Sequence, residues 1–115
     1  MEIYLDHVRV NVSNLHQGIE WYEGTLGFKV TGHWPPENPN YAHFETGKGA
    51  IFAIMETDPS PSHGRLNFKV ENVDHYWDQV ADKVEILEDL FETPYGTKKF
   101  TIKDPDGNEL GFVQA

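Results

Sequence analysis

Val12-Ser13-Asn14-Leu15-His16-Gln17-Gly18-Ile19-Glu20-Trp21-Tyr22 and Val70-Glu71-Asn72-Val73-Asp74-His75-Tyr76-Trp77-Asp78-Gln79-Val80 are two copies of one pattern, 58 residues apart. Each opens on a valine, reaches an asparagine two residues later, and then places larger side chains at helical spacing. Leu15, Gly18, Ile19, Tyr22 and Leu26 lie over Val73, Tyr76, Trp77, Val80 and Val84. The i, i+3, i+4, i+7 recurrence is the stripe of an amphipathic helix. Asn14 and Asn72 stand where an N-cap accepts the first free backbone N–H groups. The offset holds further on, with Phe44 over Ile102, Gly49 over Gly107, Phe52 over Leu110 and Ile54 over Phe112. One ungapped offset serving both ends makes the 115-residue chain a duplicated module, residues 1–58 and 59–115.

Each module reads strand, helix, strand, strand, strand. Alternating Val8, Val10 and Val12 set the first strand within Ile3–Val12. The helix over Leu15–Leu26 stops at Gly27, and Phe28–His33 follows as a strand. Pro35, Pro36 and Pro39 mark a loop, and Gly47-Lys48-Gly49 joins strands over Tyr41–Glu45 and Ala50–Glu56. Asp58-Pro59-Ser60-Pro61-Ser62 is the linker. The second module repeats the order with a strand at Arg65–Val70, a helix at Val73–Val84 and strands near Ile86–Leu90, Thr97–Lys103 and Glu109–Gln114. Asp104-Pro105-Asp106-Gly107-Asn108 is its last tight turn. The fold class is α+β. The expected architecture is two βαβββ modules whose mixed sheets curl into a cup with the helices outside.

Strand alternation sorts the side chains into two faces. Val8, Val10, Val12, Phe44, Phe52, Ile54, Leu66, Phe68, Val70, Phe100, Ile102, Leu110 and Phe112 face the helices. His7, Arg9, Asn11, Tyr41, His43, His63, Arg65, Asn67, Thr101 and Glu109 fall on the opposite faces, with the small or flexible Ala53, Met55 and Gly111. Such a face is either solvated or the wall of a ligand cavity.

Composition limits the chemistry. Nine basic and 19 acidic side chains give a net charge of −10, which repels phosphate backbones and argues against nucleic acid. Residues 1–58 hold three basic and eight acidic groups and the rest six and eleven, so each half carries −5 and the acidity is a property of the whole surface. The absence of cysteine excludes disulfide scaffolds, thiolate metal sites and cysteine nucleophiles. No apolar run approaches the ~18 residues of a membrane span. The expectation is a cytosolic protein with no membrane partner. No phosphate-binding glycine loop or nucleophile elbow is present.

The run His7…Val12-Ser13-Asn14-Leu15…Ile19-Glu20-Trp21-Tyr22…Leu26-Gly27-Phe28, with Pro94-Tyr95-Gly96-Thr97 and Asp104-Pro105-Asp106-Gly107-Asn108, resembles the vicinal oxygen chelate superfamily. That group includes glyoxalase I, fosfomycin-resistance thiol transferases, bleomycin-resistance proteins and extradiol dioxygenases. The resemblance implies paired modules, frequently a homodimer, and in its enzymes a divalent metal held by four equivalent strand positions. Carried over by position, the first is His7. Its equivalent 58 residues on is Arg65, which cannot ligate, and the late-strand positions are Ala53 and Gly111. One of four donors is therefore present.

His63 and Glu109 offer a substitute set with His7, a two-histidine-one-carboxylate arrangement. Each stands two residues, ~6.5 Å of strand, from the expected place, while metal–ligand bonds are about 2 Å. The candidate ligand-binding residues are His7, Arg9, Trp34, Tyr41, His43, Arg65, Asn67 and Glu109. Arg65 could grip a carboxylate of the ligand with its planar fork, or pair with Glu109 or another carboxylate of the cup. Trp34, Tyr41 and His43 could stack a flat ring. The expected function is binding or sequestration of a small organic molecule in the style of bleomycin-resistance proteins, with no catalytic metal. The alternatives are a metal-dependent lyase or transferase of the glyoxalase type, and a structural or partner-binding module.

Overall fold

A computed structural model of the chain describes Glu2 and residues 5–115. It divides into two compact units, Met1–Ser62 and His63–Ala115. In the first, β1 (His7–Val12), α1 (Leu15–Gly24), β2 (Val30–Trp34), β3 (Tyr41–Phe44) and β4 (Ile51–Glu56) form a four-stranded mixed sheet in the order β1-β4-β3-β2, with one helix. In the second, β5 (Arg65–Val70), α2 (Val73–Val80), β6 (Glu85–Glu92), β7 (Lys98–Lys103) and β8 (Glu109–Gln114) give β5-β8-β7-β6. A one-turn 3₁₀ segment, Ala81–Lys83, follows α2. Strands β1 and β4 run parallel, as do β5 and β8, and the other pairs are antiparallel. The fold is α+β, built from two βαβββ modules.

The repeat is exact in the backbone where it matters. Adding 58 to the bounds of β1 and of β4 gives β5 and β8, residue for residue. The helix starts are built identically. Asn14 Oδ1 accepts from the Gln17 N–H at 2.9 Å, and Asn72 Oδ1 from the His75 N–H at 3.0 Å. A second free N–H of each first turn is met from the last strand of its own module. Leu15 N–H donates to Glu56 Oε1 and Val73 N–H to Gln114 Oε1, both at 2.9 Å.

Helix α1 packs across β3 and β4, and α2 across β7 and β8. The cores fill equivalent space by different means. Module one has Gly18 where module two has Tyr76, and Tyr22 where module two has Val80. A Cβ at Gly18 would lie 3.0 Å from Ile54 Cδ1, so α1 sits tight on its sheet there, and the fully buried Tyr22 fills the next turn against Phe28, Phe44 and Phe52. In module two the ring of Tyr76 meets Phe100 and Phe112. Burial pushes the Tyr76 hydroxyl well above its ordinary range.

The structure corrects several bounds. The first strand begins at His7, and Ile3 and Tyr4 of the expected strand lie outside the described residues. Helix α1 ends at Gly24 instead of Leu26, with Gly27 at φ 78° and the Gly27 and Phe28 N–H groups reaching back to the carbonyls of Glu23 and Tyr22. Helix α2 tightens to 3₁₀ at Ala81. Strand β6 is longer than expected, Glu85–Glu92, and carries two register shifts. The helix-facing residues Leu66, Phe68 and Val70 of β5 are half-buried, unlike the buried Val10 and Val12 of β1. The linker is tied to the first unit by Asn11, whose backbone N–H donates to Ser62 Oγ and whose Nδ2 donates to the Pro59 carbonyl, each at 2.7 Å. Among the described residues no helix is long and apolar enough to cross a membrane.

Candidate ligand-binding faces

The polar face of the first sheet gathers three rings around one oxygen. Tyr41 and His43 are two residues apart on β3 and so share a face. Tyr41 Oη lies 3.0 Å from His7 Nε2 and 3.3 Å from His43 Nδ1. A phenol has one hydrogen, so the ring nitrogen it does not serve must itself carry the hydrogen. Both imidazoles also meet the Tyr41 ring edge-on, at 5.8 and 5.7 Å. Two small residues make room. Ala53, between Arg9 and His43 in the register, is fully buried and contributes only a methyl group. Gly32 pairs with His43, and a Cβ there would fall 2.5 Å from His43 Nε2. The His43 ring therefore lies over the bare backbone of β2.

Arg9 stands on the same face. Its Nη1 donates to Met55 Sδ at 2.9 Å, a weak acceptor, and among the described residues no carboxylate of its own module pairs with it. Burial raises the Tyr41 phenol above its ordinary value, and the Arg9 charge partly opposes that shift. Trp34 pairs with Tyr41 across β2 and β3, which puts both side chains on one face. Trp34 is 63% exposed.

The equivalent face of the second sheet is an ion network. Arg65, at the position of His7, donates from Nε to Glu109 Oε1 at 3.0 Å and from Nη1 to Glu88 Oε1 at 2.9 Å. The buried Thr101, at the position of His43, donates its hydroxyl to the same Glu88 oxygen at 2.7 Å. The Thr101 hydroxyl is the main reason the Glu88 carboxyl sits below the ordinary glutamate range, with the Arg65 and Lys99 charges adding to it. Asn67 pairs with Gly111, and its side chain occupies the place a Cβ on residue 111 would take.

Within each module the expected residues form one set. His7, Arg9, Trp34, Tyr41 and His43 come together on the first face. Arg65 and Glu109 pair with each other on the second, beside Asn67. His63 is exposed, next to Gly64 at φ 126°, and lies outside β5, so it holds no strand position. Glu88 and Gly32 were missed in sequence. The signal for Glu88 is a carboxylate sharing alternation with Ile86 and Leu90, all half-buried in β6.

The four strand positions implied for a metal do not provide a donor set. Arg65 is a fixed cation bound to two carboxylates, Ala53 has no donor, and the space at Gly111 is taken by Asn67. His7 alone has a ligating atom. Within neither module do three His, Asp or Glu side chains gather, among the described residues.

A family model described as Glyoxalase/Bleomycin resistance protein/Dioxygenase superfamily matches residues 4–112. The chain belongs to this superfamily. No curated protein matches it. Among solved structures it is similar to TnmS3, an antibiotic binding protein from Streptomyces sp. CB03234, at 23% identity over 99% of this chain and 98% of that one, with a TM-score of 0.82. It is similar to TioX from Micromonospora sp. ML1 at 20% identity, covering 96% and 97%, with a TM-score of 0.80. A member of the same superfamily from Sphaerobacter thermophilus DSM 20745 gives 20% identity, 100% and 99% coverage and a TM-score of 0.81. At these identities the likeness is one of fold. Superfamily members differ in chemistry, so function here rests on the side chains just described.

Proposed function

We propose that this chain binds a small organic molecule against the polar face of its first module, without a catalytic metal and without transforming the ligand. The observation that carries this reading is the donor set. Three of the four positions at which superfamily enzymes hold their metal carry Arg65, Ala53 and Gly111, and each has a structural occupation of its own. A polar face lined by imidazole, phenol, guanidinium and an exposed indole supplies the orienting groups and the flat apolar wall that small-molecule sites combine. The antibiotic-binding description of TnmS3 supports the reading by likeness of fold. The expected cytosolic setting and homodimer belong to the same proposal. Light scattering at twice the chain mass would bear out the dimer, and the mass of one chain would refute it.

The test is a ligand-observed NMR screen of small aromatic compounds with and without a chelator. The expected result is binding that survives chelation, with the compound recovered unchanged. Stoichiometric zinc, nickel, manganese or iron, lost together with binding on His7→Ala, would overturn the metal-free reading. One observation favours a second reading, a metal-dependent lyase or transferase. His7 keeps the first ligand position, and turnover of a hemithioacetal or an epoxide would establish that activity.

A further inference from the structure

The two modules answer oppositely whether the ligand is cationic or anionic. The chain carries −10, and each half −5, which viewed from a distance favours cations. Bound charge is decided at contact range. At ~0.15 M salt, fields beyond about 8 Å are largely screened, while a direct hydrogen-bonded pair persists.

Arg65 is already satisfied at contact range. Its Nε and Nη1 are held by Glu109 and Glu88, at 3.0 and 2.9 Å. Both carboxylates already occupy the Arg65 fork, and the Lys99 charge beside Glu88 is offset by the same carboxylate, so the cluster offers an anion no open guanidinium. Arg9 is in the opposite condition. Its guanidinium has five donors, and the contact it makes is to the Met55 thioether. Thioether sulfur is a weak acceptor, and a guanidinium is built to meet carboxylate or phosphate edges in a paired fork. Beside it stand the Tyr41 hydroxyl and the two imidazoles, which can donate to or accept from a second oxygen. Trp34, 63% exposed on the face of Tyr41, leaves a large flat apolar surface uncovered next to these groups.

We infer that the first-module face takes a planar aromatic molecule bearing an anionic oxygen, with the anion on Arg9, a neighbouring oxygen on the Tyr41–His7 pair, and the ring against Trp34. This rests on the small-molecule reading above and deepens it by assigning the ligand's charge and shape.

The test uses one ring in three charges: naphthoate, naphthylmethanol and naphthylmethylammonium, titrated at ~0.15 M salt and followed by indole fluorescence and NMR. Naphthoate should bind roughly tenfold more tightly than the ammonium compound, the scale of one charge-assisted hydrogen bond. Arg9→Gln should abolish that preference, and Arg9→Lys should restore part of it. Arg9 is exposed, so Arg9→Gln should keep the fold, which circular dichroism checks. A preference for the ammonium compound, or an anion preference unchanged in Arg9→Gln, would overturn the charge assignment and leave small-molecule binding standing. Failure of all three compounds to bind would count against the small-molecule reading itself.

Discussion

His7 and Arg65 occupy the same position of the first strand in two copies of one module, yet they make opposite kinds of contact. His7 shares a phenol oxygen with a second imidazole, and among the described residues no carboxylate of its module pairs with the nearby Arg9. Arg65 closes a circuit with Glu88, Glu109 and Thr101. The backbone of β1 and β4 is repeated in β5 and β8 residue for residue, and so are the asparagine caps. The two modules share a scaffold and differ in their polar faces. A face whose charges are mutually satisfied contributes to structure. The first face instead has a cation bonded to a thioether, a phenol oxygen between two imidazoles and an exposed Trp34, the groups on which the proposed ligand binding rests.

The largest expected effect tests the shared part. Phe52 and Leu110 are equivalent positions, 3% and 0% exposed. Phe52→Ala and Leu110→Ala should each cost about 3 kcal/mol in denaturant unfolding, because each removes a buried side chain from the equivalent position of its own module. If one costs several times the other, the modules do not share a core plan.

The next effect separates the two faces. Arg65→Met removes the cation that bridges Glu88 and Glu109, and should cost about 1 kcal/mol, kept small because these groups are about a third exposed. His7→Gln should cost under about 0.5 kcal/mol, since His7 is exposed. Its effect should appear as weaker ligand binding. A reversed order of the two stabilities would break the distinction between a structural and a binding face.

A smaller effect sharpens the second face through pH. The Glu88 carboxyl is held below the ordinary glutamate value of about 4.3 in the folded chain, chiefly by the Thr101 hydroxyl. A group whose folded pKa is depressed gives stability that is present above its ordinary pKa and is lost as pH falls through the folded value. Thr101→Val should move the Glu88 titration up toward the ordinary value, as read by NMR. The variant should be less stable than wild type above about pH 5, with Glu88's share of that deficit vanishing in acid. A Glu88 titration that does not move would place the cause elsewhere.

The strand positions, the caps and the helix-facing core were legible because they follow from a repeat and two periodicities, 3.6 and 2.0. Element ends were less so. The 3₁₀ turn at Ala81 and the register shifts of β6 depend on tertiary packing, not on local pattern. On the faces, alternation placed His7, Arg9, Tyr41 and His43 together. It could not say that Tyr41 would bridge the imidazoles, because that needs the gaps left by Gly32 and Ala53. Glu88 escaped notice because β6 is an edge strand whose shifts blur its faces. The sequence leaves Arg65 open between a ligand and Glu109 or another carboxylate, and the structure supplies both Glu109 and Glu88.

One measurement addresses the central claim most directly: NMR mapping of a saturating titration with naphthoate, reading the side-chain signals of both modules at once. The largest shifts are expected at the Trp34 indole N–H, the Arg9 Nε–H and the His7 and His43 rings. The largest shift falling on the Arg65 Nε–H, with Trp34 and Arg9 unmoved, would contradict it.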